Sequence, residues 1–421
     1  MLKCYIFNTN LTDFMTVRQK YKLPAIQTEI ENFQTLIGNN SFDKAVEYFR
    51  QYLDKPTLFG LETSLIRGQL LQKIAVEKLS NDEDKCFVLY SLALTLNLTG
   101  GFPNLSIPLY EQHDELAEKI CDDKSLSQSL GHHAKALRQI GRFRESEEIA
   151  RKGLKIIRQR QDFLREAVNL YWLGMGLAHR GDSENSECAL QRSLRIFKAK
   201  FAQQAEGVVN AFLAQRALWL GDPYEALNFA NKAFDIGKNL ENDDHHADLH
   251  GAVKILTAAL RMKGEALVLQ GNFVEGEKNL QSALRRAREI EFVEEELPAL
   301  RALALKALNI KELNVAREYL RQTWHLAERG QFLLYNADSY NIFARVELAD
   351  GRLNKALEAA QKASQLSICD GLPFAYQRGL EDSQALLNQL DADIPKIPMC
   401  EETKFNKMFE IELNPDDEFS S

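Results

Sequence analysis

The stretch Gly141-Arg-Phe-Arg-Glu-Ser decides the fold, because it returns along the chain as Gly181-Asp-Ser-Glu-Asn-Ser, Gly221-Asp-Pro-Tyr-Glu-Ala, Gly271-Asn-Phe-Val-Glu-Gly and Gly351-Arg-Leu-Asn-Lys-Ala. The last gap is twice the first, and halving it places a missing turn at Lys311-Glu-Leu-Asn-Val-Ala, with Lys in the glycine slot. A glycine followed by a polar residue ends one helix and starts the next, so the chain repeats a helical hairpin with a period of about 40 residues. Small residues recur in the same register. Seven before each turn stand Ala134, Gly174, Ala214, Gly264, Ala304 and Ala344; five after it stand Ser146, Ser186, Ala226, Gly276, Ala316 and Ala356. Twelve after it stand Gly153, Ser193, Ala233, Ala283, Thr323 and Ala363. Helices approach closely only where side chains are short, so these positions mark helix crossings. Larger apolar residues at helical spacing lie between them, such as Ile149, Leu154 and Ile157. A single hairpin cannot bury such a stripe, so the units must stack.

Outward from this core the pattern weakens. Gly100-Gly-Phe102 follows Ala93 at the same spacing, and Asn39-Asn-Ser-Phe42-Asp-Lys-Ala45 follows Phe33, an oversized residue in the small slot that suits a capping unit. That makes about eight hairpins. Eight of the ten prolines fall outside 109–372, which leaves the middle free for continuous helix. The expected organisation is degenerate capping hairpins over 1–84, a repeat array over 85–370, a capping helix over 371–392 and a disordered acidic tail over 393–421.

Composition narrows the function. The chain is 45% hydrophobic and 27% charged with net charge −8, of which the stretch 391–421 carries −6, so the body lacks the basic stripe a nucleic-acid binder needs. No window is apolar enough to span a membrane, and the start has no secretory signal, which predicts a cytoplasmic protein. Six widely separated cysteines without metal-ligand spacing read as free thiols.

The small-residue signature resembles the tetratricopeptide repeat over roughly residues 85–370, with a period longer than the usual ~34. The resemblance implies an all-α, right-handed α-solenoid that binds protein or peptide ligands. A degenerate first hairpin, units of this longer period and a closing Cys369-Asp-Gly-Leu-Pro-Phe-Ala-Tyr376 are similar to the C-terminal repeat region of bacterial signal-transducing NTPases of the STAND class. The NTPase itself is missing, since no Gly-x-x-x-x-Gly-Lys-Ser/Thr occurs and Gly237-Lys238 lacks the upstream glycine. The alternative is a peptide-pheromone receptor of the Rap type, for whose N-terminal effector domain residues 1–37 look too short.

Catalytic motifs are missing, and no cofactor is expected. His245, His246 and His250 interleave with Asp243, Asp244 and Asp248; His246 and His250, four apart on a helix, could share a metal in a hydrolase, but a solvated acidic loop is the simpler reading. His132 and His133 are adjacent and point about 100° apart, so one is expected to face the core or groove and the other not. The informative surface is the concave face, lined by the first helix of each hairpin at ten, six, three and two residues before the turn. That register selects Lys135, Arg138, Tyr171, His179, Gln215, Trp219, Arg261, Glu265, Arg301, Asn341 and Arg345 as the ligand groove. Arginine forks match carboxylates, so the expected partner is a protein or peptide of acidic character, with no nucleic acid and no membrane. The expected role is a non-catalytic sensor or scaffold in a bacterial signalling or defence system.

Overall fold

The computed structural model describes residues 27–54, 67–98, 101–242, 249–290, 292–328, 330–400 and 411–413. They form α1 (Gln27–Gly38), α2 (Phe42–Tyr48), α3 (Asp82–Leu98), α4 (Pro103–Lys119), α5 (Asp123–Gln139), α6 (Phe143–Gln159), α7 (Phe163–His179), α8 (Ser183–Ala199) and α9 (Gln203–Trp219). There follow α10 (Pro223–Asn242), α11 (Leu249–Leu269), α12 (Phe273–Glu289), α13 (Val293–Asn309), α14 (Leu313–Ala327), α15 (Leu333–Ala349), α16 (Leu353–Ser367) and α17 (Gln377–Gln389). Among the described residues, consecutive helices pair as eight hairpins, α1/α2 to α15/α16, and α17 covers the last. The chain is an all-α, tetratricopeptide-like solenoid.

The backbone repeats at half the sequence period. Left-handed residues fall at Cys121, Gly141, Gln161, Gly181, Phe201 and Gly221, so one closes every helix of this stretch and not every second helix. Here α5 to α9 are equal in length and are joined by turns of three. The turns inside hairpins carry the glycines, with Lys311 held at a φ of 63° in the slot where glycine is missing. Those between hairpins use Cys121, Gln161, Phe201 and Gln331 at φ of 53–55°, which is why they left no mark in the sequence. Where the residue after the glycine is Asp or Asn it caps the second helix: the Asp182 and Asn272 side chains accept from the N–H groups of Asn185 and Glu275, whereas Arg142 and Arg352 make no such bond.

All eighteen small positions are buried. The pair at minus seven and plus five forms the crossing within a hairpin, seen in the hydrogen bonds from Ser146 Oγ to the Ala134 carbonyl at 2.7 Å and from Ser186 Oγ to the Gly174 carbonyl at 2.8 Å. A Cβ on Gly264 would lie 2.9 Å from the Gly276 carbonyl oxygen. Phe33 fills its slot in the first hairpin by meeting Phe49 edge-on, ring centroids 5.9 Å apart.

The solenoid closes on itself. The turns at Gly101, Gly141 and Gly181 meet Val293, Leu333 and Gln377, the first residues of α13, α15 and α17, each five hairpins further along the chain. One superhelical turn therefore brings the early hairpins against the late ones. The Arg144 N–H donates to Asp370 Oδ2 across this seam at 2.9 Å.

Of the described residues in the stretch expected to be a disordered tail, 393–396, 398, 399 and 412 are exposed, and two points are tied to the solenoid. Cys400 N–H donates to the Leu372 carbonyl at 2.7 Å and Leu372 N–H to the Pro398 carbonyl at 2.9 Å, while Leu413 is buried among Leu154, Leu190 and Leu194. The apolar Ile411 and Leu413 supply the surface that an acidic composition concealed.

Candidate functional site

Closure turns the expected concave groove into a partly enclosed cavity of about 290 Å³. Its walls are the first helices α5, α7, α9, α11, α13 and α15, together with Tyr376 ahead of α17. Of the eleven residues singled out by register, Lys135, Arg138, Tyr171, His179, Gln215, Trp219, Arg261 and Arg301 line it. Glu265 stands behind the wall as a partner of Arg261. Asn341 and Arg345 sit further along α15 and bind the cap instead, Asn341 to the Gly379 carbonyl at 3.0 Å and Arg345 to Asp382 at 2.9 Å.

Three carboxylates in the wall escaped the sequence reading: Glu294, Glu295 and Asp338. They lie thirteen to seventeen residues before their turns, one or two helical turns beyond the positions read. Extending the stripe toward each helix start would have found them. Lys135 Nζ meets Glu294 at 2.6 Å across the seam, 159 residues apart in sequence. Arg261 holds Glu295 at 2.5 Å, Glu265 at 2.6 Å and Gln215 Oε1 at 2.7 Å. Arg301 pairs with Asp338, whose other oxygen accepts from Tyr376 OH at 3.0 Å. Burial works against the Arg261 and Arg301 charges, yet Glu295 with Glu265, and Asp338 with Glu265, hold both guanidinium groups firmly protonated. Pro298 adds one more wall feature: it has no N–H for the Glu294 carbonyl one turn back, and Tyr335 OH approaches that carbonyl at 3.4 Å.

Arg138 differs from its neighbours. It is 5% exposed, yet among the described residues no carboxylate lies within ion-pair distance and its Nε has no hydrogen-bond partner. Its nearest polar contact is His179 Nδ1 at 3.5 Å, but that nitrogen also lies 2.7 Å from the Met175 carbonyl. The carbonyl can only accept, so Nδ1 carries the proton and offers Arg138 no lone pair. Burial keeps His179 neutral, its pKa well below 6.5. Three more wall donors are buried without partners among the described residues: Gln215 Nε2, Trp172 Nε1 and Trp219 Nε1. The wall holds five cationic side chains, Lys135, Arg138, Lys254, Arg261 and Arg301, against three carboxylates. Aromatic faces from Tyr171, Trp172, Phe212 and Trp219 complete it, with Lys135 Nζ 5.2 Å from the Trp172 ring centre. Such a wall favours a ligand that brings negative oxygens and apolar surface together.

A second polar cluster lies outside the cavity. Asp114 accepts from His113 Nδ1 and His133 Nδ1, both at 2.8 Å, and His113 Nε2 lies 2.9 Å from Ser125 Oγ. The order Ser–His–Asp resembles a nucleophile with its base, but Ser125 sits beside Asp122 and Asp123, and its own N–H is held by Asp122 at 3.0 Å. That anionic setting opposes an oxyanion, so the cluster reads as a clamp between α4 and α5. His133 is 3% exposed, and the Nδ1 of His132 is buried too, so both adjacent rings are drawn inward. The stretch with His245, His246 and His250 lies outside the residues whose side chains are described. Among described residues no group of His, Cys, Asp and Glu could hold a metal ion, and no helix is long and apolar enough to cross a membrane.

No family model and no curated protein sequence matches this chain. Solved structures do. A Rap protein complexed with competence and sporulation factor is 12% identical, with 87% of this chain and 96% of that one covered at a TM-score of 0.51. The Rap conjugation gene regulator of plasmid pLS20, in complex with the Phr* peptide, is 13% identical over 86% of this chain and 95% of that one, at 0.50. A STAND protein with a tetratricopeptide-repeat sensor from Pyrococcus horikoshii is 13% identical and covers 87% of this chain but 55% of its own, at 0.44. At these identities the likeness is one of fold: the chain is a tetratricopeptide-like solenoid, similar in fold to the Rap proteins.

Proposed function

We propose that this protein is a non-catalytic binding module that takes an acidic peptide segment into its partly enclosed cavity and serves as the sensor of a signalling system. The observation that carries the reading is the set of buried, partnerless donors on the wall, Arg138 foremost. An unpaired buried guanidinium is costly, and a ligand carboxylate relieves that cost. The two Rap structures of like fold, each solved as a complex, one of them with a peptide, support the class of ligand. A receptor of the Rap type is the second reading, favoured by coverage of 95–96% of those chains.

The test is calorimetric titration of the full chain with a panel of short peptides that carry Asp, Glu and a free C-terminus, beside amidated Asn and Gln counterparts. Acidic peptides should bind, and Arg138→Gln should weaken them by roughly tenfold to a hundredfold, as expected for one charge-assisted hydrogen bond of about 1.5–3 kcal/mol. Arg285→Ala and Arg288→Ala, on the exposed face of α12, should leave binding unchanged. Equal binding of the neutral panel, or an Arg138→Gln protein that binds like wild type, would remove the cavity as the site.

A further inference from the structure

The seam that closes the solenoid has a free continuation at each end. On one side it uses the rim of turns inside hairpins: Gly101, Gly141 and Gly181 are covered by Val293, Leu333 and Gln377. The same rim runs on through Gly221, Gly271, Lys311 and Gly351. At the three glycines of that run nothing lies within 4 Å of where a side chain would begin. This open stretch is apolar. Leu220, Tyr224, Leu269, Val274, Val315 and Leu353 all lie within four residues of one of its turns, and they are six of the eleven large hydrophobic residues left exposed among those described. Val274 is 82% exposed and Tyr224 76%. Chance scatter does not place half of such residues on one edge.

The covering side of the seam is the row of first-helix starts, with Phe292, Phe332 and Tyr376 in the N-cap positions of α13, α15 and α17. Its free continuation is the row of starts of α5, α7 and α9. There Phe201 is 89% exposed while held at a φ of 53°, an uncommon backbone for an aromatic residue, and Leu164 is 46% exposed. Charge agrees with shape. Residues 220–225 and 269–275 of the open rim carry Asp222, Glu225 and Glu275 and no cation; residues 158–166 and 198–206 of the free edge carry Arg158, Arg160, Arg165, Lys198 and Lys200 against Asp162, Glu166 and Glu206, which leaves the edge net positive.

We infer that the open rim docks a second copy of this chain, whose free edge around Phe201 sits on the rim from Gly221 to Gly271 and continues the superhelix from one molecule into the next. The commitment to a second copy rests on continuity: the chain already pairs this kind of rim with this kind of edge inside itself. The contact is head-to-tail, so it leaves one rim and one edge unsatisfied at the ends and does not close at two.

Sedimentation velocity on the full chain over a hundredfold range of concentration tests this, with Phe201→Glu, Val274→Glu and Tyr224→Glu as variants and their thermal melts as the control for folding. Wild type should grow past dimer as concentration rises, and each variant should stay monomeric. An equimolar mixture of Phe201→Glu and Val274→Glu should give dimers and nothing larger, because only one intact rim and one intact edge remain. A wild type that is monomeric throughout, variants that assemble like wild type, or a mixture that fails to form dimers would overturn the inference.

Discussion

Gly264 shows how one missing methyl group sets a helix crossing. A Cβ there would stand 2.6 Å from Leu280 Cγ and 2.9 Å from the Gly276 carbonyl, and backbone cannot step aside as a side chain can. Gly264→Ala should therefore cost about 1–3 kcal/mol in urea unfolding despite the better helix propensity of alanine. Arg285→Ala, on the exposed face of the neighbouring α12, should cost almost nothing. His132 offers a second residue-scale test. Burial pushes its imidazole down to about 3 from the ordinary 6.5. As pH falls below 6.5 the unfolded chain takes up this proton and the folded chain does not. The stability present above that point is lost between 6.5 and about 3, by up to about 1.4 kcal/mol per pH unit. Unfolding free energies at pH 7, 6 and 5 should fall less steeply for His132→Gln than for wild type.

Among the elements, α17 and the tail do more than cap. The helix takes the Asn341 and Arg345 side chains that would otherwise extend the groove, so the cavity wall stops at Asp338 on α15. The strand-like bridge from Leu372 to Met399 ties the chain beyond α17 back to the loop before it. Further on, Leu413 is 7% exposed against α6 and α8. Leu413→Ala should lower the melting temperature by several degrees, the effect of about 1–3 kcal/mol of lost burial, while Leu353→Ala, 57% exposed, should not move it. An unchanged melt for Leu413→Ala would mean that the tail contributes nothing to the packed core.

On the scale of the molecule, Lys135 with Glu294 is one of the links that close the superhelix, and it joins α5 to α13. Burial disfavours the Lys135 ammonium, and Glu294 offsets part of that penalty. Lys135→Met alone should be destabilising by about 3 kcal/mol, since it strands a carboxylate that is 19% exposed. The pair Lys135→Met with Glu294→Gln should cost less than the two single changes together, with a coupling of at least about 1 kcal/mol in a double-mutant cycle. Additivity would show that the two turns of the superhelix hold together without this link.

The hairpins, their turns and the small residues at their crossings were legible along the chain because they are local: a glycine in a left-handed turn and a short side chain at a crossing are demanded within a single repeat. Even Arg138, Arg261 and Arg301 could be placed on the inner face by counting back from a turn. Which of them would be neutralised could not, because Glu295 and Asp338 stand on other helices than Arg261 and Arg301 and meet them only once the hairpins stack, just as Glu294 meets Lys135 only once the superhelix closes. The same closure, reaching across five hairpins, turned a groove into a cavity and left Arg138 without an acid. The sum of small rotations between successive units sets that closure, and no single repeat encodes the sum.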